Sequence, residues 1–334
     1  AKPRKLILYG SDDREYWFLC KPVDDLRKDA RMMEFSAMVN RLLKKDLEAR
    51  KRELRIRTYA VVALSDSTGI LSWVPNTNGL RGLISDIYAM DGLDLTETIK
   101  SIRVWYEKGQ DAGGPEWEQQ FVDKLLPRFP LALSKWFLFT YTEASRWIRA
   151  RTNFARTAGV MSVIGTILGL GDRHCENILI DSENGDCLHV DLNCIFHKGR
   201  TFAIPELVPF RLTRNMIDAF GVTGYEGVFR RACEHTMRIM HQNKDALMSV
   251  LGTFVHDPLF EWNADSPAVA PLTRHQAKTG STATTAAGAA ASDATTHYSH
   301  ERHNRTAVEI LNGIADRLDG MMRTPDNMDQ IIVP

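Results

Sequence analysis

Apolar positions follow two different rhythms along this chain. Over the first 75 residues they fall in short runs: Leu6–Tyr9 and Tyr16–Cys20 flank the turn cluster Gly10-Ser11-Asp12-Asp13-Arg14, which predicts a β-hairpin. Between Asp24 and about Arg52, Leu26, Met33, Ala37, Leu42 and Leu43 recur at helical intervals and predict one long helix. Tyr59–Leu64 and Ile70–Val74 read as strands on either side of Ser65–Gly69, and Pro75 through Gly79 as a connection into a different region. From there to about Val255 the spacing is mostly helical, with helices expected over Ser145–Leu168 and Gly227–Asn243. In the latter, Phe229, Ala232, Cys233, Thr236, Met237 and Met240 form a stripe that reads as core. One pair of strands interrupts the helices, Ile178–Ile180 and Cys187–Leu192, joined through Asn184-Gly185. Residues 264–304, rich in Ser, Thr, Ala and Gly, predict a disordered loop. Val308, Leu311, Ile314, Ala315, Leu318 and Met322 then restore a helical pattern, and no internal repeat stands out.

Composition narrows the class. The 334 residues suit about two domains. They carry 42 Lys+Arg against 42 Asp+Glu, a balance that argues against a chain whose main task is coating nucleic acid or an anionic membrane. Five cysteines without a CxxC argue against a disulfide framework and for a reducing compartment. No apolar run reaches membrane-helix length; the most apolar stretch, Val160–Leu170, is broken by Gly165 and Gly169. The opening AKPRKLILYG has neither an initiator Met nor a signal-peptide layout and enters a strand almost at once, so a fragment of a longer protein is expected.

The densest polar cluster is Gly169-Leu170-Gly171-Asp172-Arg173-His174-Cys175-Glu176-Asn177, followed beyond a hairpin by His189-Val190-Asp191-Leu192-Asn193. Strand alternation would put Cys187, His189 and Asp191 on one face and Leu188, Val190 and Leu192 on the other. An Asp, an Asn five residues on and a second Asp past a hairpin suit a Mg²⁺–phosphate site, because a hard cation takes oxygen ligands and keeps nucleotide oxygens in its shell. Phosphoryl transfer needs a carboxylate for the attacking hydroxyl's proton and cations to spread charge. Asp172 fits that base, Asn177 and Asp191 the metal ligands, and His174 a charge-stabilising donor. Two rivals stand beside this reading. The same residues can serve as turns and caps, and His174, Cys175, Cys187, His189, Cys194 and His197 can be read as zinc ligands, although their spacing matches no common zinc pattern.

The block GDRHCENILI with HVDLN resembles the catalytic and metal-binding segments of the phosphatidylinositol 3-kinase-related protein kinases. LYGSDDREYWFLCKPVDDLRKDARMMEF is similar to their nucleotide-binding strands and following helix, GILSWVPNTNGLR to the hinge, and FAIPELVPFRLTRNM to the end of the activation loop. ARKRELRIRTYAV, GVTGYEGVFRRACEHTMRIM and LMSVLGTFVHDPLFEW place the resemblance nearest the ATR checkpoint kinase branch, over roughly residues 1–262. It implies an α+β, bilobal protein-kinase-like fold: a small β-rich N-lobe at 1–75, a larger mostly helical C-lobe at 76–262, a loop at 263–304, and a C-terminal helix and tail at 305–334 leading toward an absent FATC segment. Carried over by position, Lys21 matches the lysine that contacts ATP phosphates and Asp29 the carboxylate that orients it. Gly10, Ser11 and Asp12 match the phosphate-facing hairpin, while Trp73 and Val74 match the hinge that packs on adenine and hydrogen-bonds its edge. Asp172, His174 and Asn177 match the catalytic loop and Asp191 the metal-binding Asp; Leu192 and Asn193 stand where many relatives have Phe and Gly. The implied cofactors are ATP and Mg²⁺, with Mn²⁺ as an alternative ion.

The resemblance further implies a serine/threonine protein kinase acting on Ser or Thr followed by Gln, in nuclear DNA-damage and replication-stress signalling. An ATRIP-type partner, a dimer of heterodimers and DNA contact through partners are expected of the full-length protein, with no membrane role. A phosphoinositide kinase is the first alternative. Its polyanionic headgroup calls for clustered cations, and between Asp191 and Thr213 only Lys198, Arg200 and Arg211 are basic. A catalytically silent scaffold is the second. The basic stretch Arg41–Arg57 is interleaved with Asp46, Glu48 and Glu53, which reads as a solvated helix face and not a DNA contact. The chain contains no Ser-Gln or Thr-Gln, so no self-phosphorylation of that type is expected within it.

Overall fold

A computed structural model describes residues 2–22, 24–112, 119–256, 306–324 and 327–331. The backbone gathers into two compact units, Ala1–Gln242 and Asn243–Val333. The first begins with β1 (Arg4–Tyr9) and β2 (Glu15–Lys21), paired from Arg4↔Cys20 to Tyr9↔Glu15, so the expected hairpin forms around Gly10–Arg14. With β3 (Val61–Ala63) and β4 (Gly69–Ser72) they make an antiparallel sheet in the order β1-β2-β4-β3. Partners in register share a face. Lys5, Leu19 and Leu71 therefore lie on one side, and the period of two adds Trp17 and Lys21 to it.

The predicted long helix is two helices. α1 (Arg27–Lys45) buries Met32, Phe35, Val39 and Leu43, and α2 (Leu47–Lys51) follows directly. Between them Asp46 turns extended, at φ −75° and ψ 130°, and its carboxylate accepts the Ala49 N–H at 2.8 Å. An Asp side chain that caps a new first turn competes with continuation of the old helix. Beyond α2, the Asn40 side-chain amide exchanges two hydrogen bonds with the backbone of Ile56, at 2.9 and 2.8 Å. That pins Ile56 inward and turns its neighbours Arg55 and Arg57 the other way, toward the aspartates described below.

Thr77–Gly79, read from sequence as a connection, is a strand, β5, pairing with β6 (Ile178–Asp181), which pairs with β7 (Cys187–His189). Its hydrogen-bonding partner lies about a hundred residues on, so local pattern carried no sign of it. β7 is shorter than predicted. It stops at His189, and Asp191 sits in the left-handed region at φ 55°, off the expected alternation. The helices α3 (Leu80–Met90), α4 (Leu95–Ala112), α5 (Leu133–Thr140), α6 (Ala144–Leu168), α7 (Arg214–Phe220) and α8 (Val228–Gln242) complete this unit. Their core is a chain of rings: Phe137–Phe154 and Phe154–Phe220 at 5.4 Å, and Phe220–Phe229 at 4.9 Å. On α8 the predicted stripe buries Phe229, Ala232, Thr236 and Met240, with Ile239 added and Cys233 and Met237 half-buried. α6 ends where Gly169 adopts φ 62°, and the Leu170 N–H returns to the Gly165 carbonyl at 2.8 Å.

In the second unit, α9 (Lys244–Val255) buries Leu247, Leu251 and Val255, and α10 (306–318) buries Ala307, Ile314 and Leu318. Met322 belongs to a strand, β8 (Met321–Thr324), paired with β9 (Asn327–Ile331), and not to the helix expected there, because Gly320 at φ 82° ends it. The loop predicted over 264–304 lies outside the described residues. No disulfide links the cysteines, and among the described residues no helix is long and apolar enough to cross a membrane.

Candidate nucleotide and catalytic site

The Gly169 turn delivers the chain into the polar block. Asp172 takes a left-handed backbone at φ 58°, a conformation that costs a non-glycine residue about 1 kcal/mol and must be held from outside. Its N–H donates to both carboxylate oxygens of Glu206, at 2.8 and 3.1 Å, and its carbonyl accepts from the Asn177 side-chain amide at 2.9 Å. Asn177 thus spends its Nδ2 on the loop and keeps its Oδ1 as an acceptor. His174 is exposed, and its Nδ1 accepts the Glu176 N–H at 3.2 Å, which leaves the proton of the neutral ring on Nε2. The two segments are tied by Arg173, which is 6% exposed. Its guanidinium donates to the carbonyls of Gly171 and Val190, each at 2.8 Å, and to that of Asp191.

At the other side of this tie lie the carboxylates. The Val190 N–H bonds the Asn177 carbonyl at 3.1 Å, so Asn177 and Asp191 are brought side by side. Oδ1 of Asp191 is buried without a hydrogen-bond partner. Asp29, at the start of α1 and 1% exposed, accepts the Leu192 N–H at 3.0 Å through Oδ1, while its Oδ2 has no partner. Burial raises the Asp29 carboxyl to about 6; the Leu192 hydrogen bond opposes the rise, the charge of Asp191 adds to it, and that of Lys21 opposes it. The expected partnership of Lys21 with Asp29 is replaced: Lys21 Nζ donates to Asp24 at 2.8 Å. Asp29 is instead turned toward the backbone after Asp191, and influences Lys21 through charge alone. Burial draws the Lys21 ammonium down, but the Asp24 bond and the charges of Asp191, Asp24 and Asp29 outweigh it and hold it above the usual lysine range.

The hydrogen bonds of Val190 to Asn177 and of Leu192 to Asp29 hold together the segments that carry two orphaned carboxylate oxygens and the Asn177 amide oxygen, with the Lys21 ammonium under the charge of Asp29 and Asp191. That donor set fits a hard divalent cation. It does not fit zinc: among the described residues no three His, Cys, Asp or Glu side chains converge, so the cysteine–histidine alternative has no cluster to stand on. Cys187 and Cys194 are buried, with thiols pushed by burial up to about 12 and about 11, and burial lowers the His189 ring to about 3.

Toward the sheet, the hairpin turn closes through Gly10 N–H to the Arg14 carbonyl at 2.9 Å. Asp12 is used within that turn, accepting from Tyr16 Oη at 2.8 Å and from the Arg14 N–H at 3.3 Å. The Tyr16 bond holds its carboxyl below the usual range. The Trp73 N–H continues the sheet by donating to the Trp17 carbonyl at 2.8 Å, and the Val74 carbonyl accepts from Thr77 Oγ1 at 2.8 Å. Trp73 is 39% exposed and lines, with Trp17, Phe18, Ser72 and Pro75, a cavity of about 450 Å³. The Lys5 ammonium lies over both indoles, 3.5 Å from the Trp17 centroid and 4.8 Å from that of Trp73.

Four residues at this site were not singled out by the sequence: Asp24, Tyr59, Arg173 and Glu206. Tyr59 is buried beside Asp29 and Asp191, and burial raises its phenol. Arg173 had a visible signal, an arginine within the polar block whose strands would bury it. Glu206 had none, since its bond to Asp172 spans 34 residues.

Residues 15–264 match the phosphatidylinositol 3- and 4-kinase family. The chain is 53% identical over 262 residues to the serine/threonine-protein kinase ATR of Arabidopsis thaliana, covering 78% of this chain and 10% of that protein. It is 48% identical over 262 residues to protein kinase rad3 of Schizosaccharomyces pombe, covering 78% and 11%. Among solved structures, the FAT and kinase domain of CtTel1 aligns with a TM-score of 0.75 and 32% identity over 95% of this chain and 20% of that one. The Tel1 kinase butterfly symmetric dimer aligns at 0.70 and 30%, over 91% and 12%. The chain therefore spans about a tenth of the length of these curated relatives, and its own fold is a small sheet lobe followed by a mostly helical remainder. It belongs to the phosphatidylinositol 3- and 4-kinase family, and its similarity within that family is to the ATR-type protein kinases.

Proposed function

We propose that this chain is the catalytic core of a serine/threonine protein kinase that transfers the γ-phosphoryl group of ATP to Ser or Thr followed by Gln. The observation that carries the proposal is Asp191, whose carboxylate oxygen is buried and unpartnered beside an Asn177 already committed to the catalytic loop through its nitrogen. Asn177 Oδ1 and the Asp191 carboxylate would hold Mg²⁺, which when bound neutralises charge on the phosphate oxygens. Lys21 binds those oxygens from the sheet, where Ser11, which makes no hydrogen bond among the described residues, offers its N–H beside them. Trp73 stacks on the adenine, and the Val74 N–H, likewise without a bond among the described residues, meets its edge. Asp172 accepts the proton of the attacking hydroxyl, and the His174 Nε2–H donates to the moving phosphoryl group. The lobe boundary at 75/76 belongs to the same reading, with the sheet of β1–β4 before it and that of β5–β7 after.

A peptide acceptor is favoured over a lipid headgroup by the activation segment. It exposes Ile204, Leu207 and Val208 at 76%, 72% and 72%, and turns Arg211, one of its few cations, toward the Cys175 sulfur at 3.3 Å. By the same reading the longer protein works in nuclear checkpoint signalling with an ATRIP-type partner, and it forms dimers as the Tel1 kinase does. The test is Mg²⁺–ATP transfer to a Ser-Gln peptide, its Gln→Ala counterpart and a phosphoinositide. Turnover of the Ser-Gln peptide alone is expected. Equal use of both peptides removes the Gln preference, transfer to the lipid reassigns the substrate, and no transfer leaves a scaffold.

A further inference from the structure

We infer that Glu206 is a positioning residue for Asp172, the clamp through which the activation segment sets the aim of the catalytic carboxylate; this rests on the kinase reading of Asp172. Three observations converge. The Asp172 N–H is held by both Glu206 oxygens, at 2.8 and 3.1 Å, a charge-assisted bond at the residue whose backbone is strained into φ 58°. Glu206 is itself tied to its own segment, its N–H donating to the Gly199 carbonyl at 3.0 Å. Its carboxylate reaches Asp172 through a slot that exists only because residues 171 and 199 are glycines, since a Cβ at either would overlap Oε2.

The loop's other ties are internal or come from the metal-loop strand: Asn177 to the Asp172 carbonyl, Cys194 O to the Gly171 N–H, and Arg173 to Gly171, Val190 and Asp191. They fix where the loop lies. The peptide plane before Asp172 is gripped at both ends, by Arg173 at the Gly171 carbonyl and by Glu206 at the Asp172 N–H; Glu206 is the grip that comes from the activation segment, and it bears on the direction in which Cα–Cβ leaves a left-handed backbone. Removing it leaves the metal and nucleotide contacts in place while the base swings. Because Glu206 comes from the segment that meets the acceptor, an activation segment that moves would carry this clamp with it.

The experiment compares the full chain with Glu206→Ala, Glu206→Gln and Gly199→Ala. Gly199→Ala displaces the carboxylate without altering it, and so guards against a fold effect of the truncation. Hydrogen exchange across residues 171–174 and steady-state transfer to the Ser-Gln peptide are both read. Glu206→Ala and Gly199→Ala are expected to speed exchange at the Asp172 amide about 10-fold or more and to lower kcat about 10- to 100-fold. KM for ATP should stay within about twofold of wild type, as for an interaction that acts on the chemical step alone. Glu206→Gln, whose amide oxygen still accepts, should recover most of the lost kcat. Unchanged exchange in Glu206→Ala overturns the inference. So does a loss expressed as weaker ATP binding, or a Glu206→Gln as impaired as the alanine variant. If the wild type transfers no phosphate, the kinase reading is what fails, and the exchange result alone upholds or sinks the clamp.

Discussion

Asp181 and Asp186 at the β6–β7 hairpin, and Asp29 and Asp191 beside the sheet of β1–β4, are two pairs of carboxylates with buried oxygens, and only the first is met by direct ion pairs. Asp186, its side chain 1% exposed, receives Arg55 through Nη2 at 2.5 Å and Nε at 3.2 Å, with Arg57 at 3.5 Å; Arg57 also reaches Asp181 at 3.1 Å. Asp29 and Asp191 keep one oxygen each without a partner. An arginine is at hand there too. Arg173 lies against Asp191, yet spends its donors on three backbone carbonyls and none on a carboxylate. A buried charge left unpaired costs several kcal/mol, so it persists only where something else relieves it. The first pair fastens the segment after α2 to the β6–β7 hairpin; on the kinase reading proposed above, the second is the one a cation would relieve.

Exchanging one member of each pair breaks this contrast if it is wrong. Asp191→Ala should cost about 10³-fold in phosphoryl transfer, the order expected for removing a ligand that organises charge at the reacting phosphate. Its melting temperature in metal-free buffer should hold or rise, because an unsatisfied buried oxygen disappears with the side chain. A variant that unfolds instead would put Asp191 among the structural acids. Asp186→Ala should do the reverse, since it strands the Arg55 guanidinium in a half-buried setting and leaves Arg57 with Asp181 alone. A loss of about 3–4 kcal/mol in urea unfolding is expected, with transfer per folded molecule within about fivefold of wild type. A loss of transfer as deep as that of Asp191→Ala would erase the distinction between the two pairs.

Sequence pattern carried the elements whose signals are local. The β1–β2 hairpin announced itself through Gly10–Arg14, α6 and α8 through their spacing, and the polar block through its density. What it could not carry were pairings across the chain. β5 is a strand only because β6 lies beside it, and Arg55 and Arg57 read as one more solvated helix face until Asn40 turns Ile56 inward. The charged pairs that do lie on that face, Glu48 with Lys51 and Arg52, are the ones the i,i+3 and i,i+4 rule anticipates. At the site, resemblance named the positions of Asp172, Asn177 and Asp191, but it paired Lys21 with Asp29 where the fold pairs it with Asp24. Which of two nearby acids meets a lysine is decided by backbone direction, and here the Leu192 N–H had already claimed Asp29.

The smallest expected effect separates the two pairs by pH. Burial raises Asp29 from 3.8 to about 6, so the folded chain binds a proton there that the unfolded chain releases. The stability tied to that proton is fully present below pH 3.8 and is lost as pH rises through about 6. At about 1.4 kcal/mol per unit the ceiling is roughly 3 kcal/mol. Burial also raises Asp186, against the pull of Arg55 and Arg57, so it contributes a slope of the same sign. The two contributions part when Mg²⁺ is added. A cation at Asp191 favours the ionised form of Asp29 and should flatten its share of the slope, as Asn at position 29 does without metal. It has no purchase on Asp186, whose counter-ions are already covalently part of the chain. Melting curves from pH 4 to 7, with EDTA and with Mg²⁺, for wild type, Asp29→Asn and Asp186→Asn, read this directly. A Mg²⁺ response that survives Asp29→Asn intact, or that vanishes in Asp186→Asn, would mean the cation acts elsewhere and that both aspartate pairs belong to the scaffold.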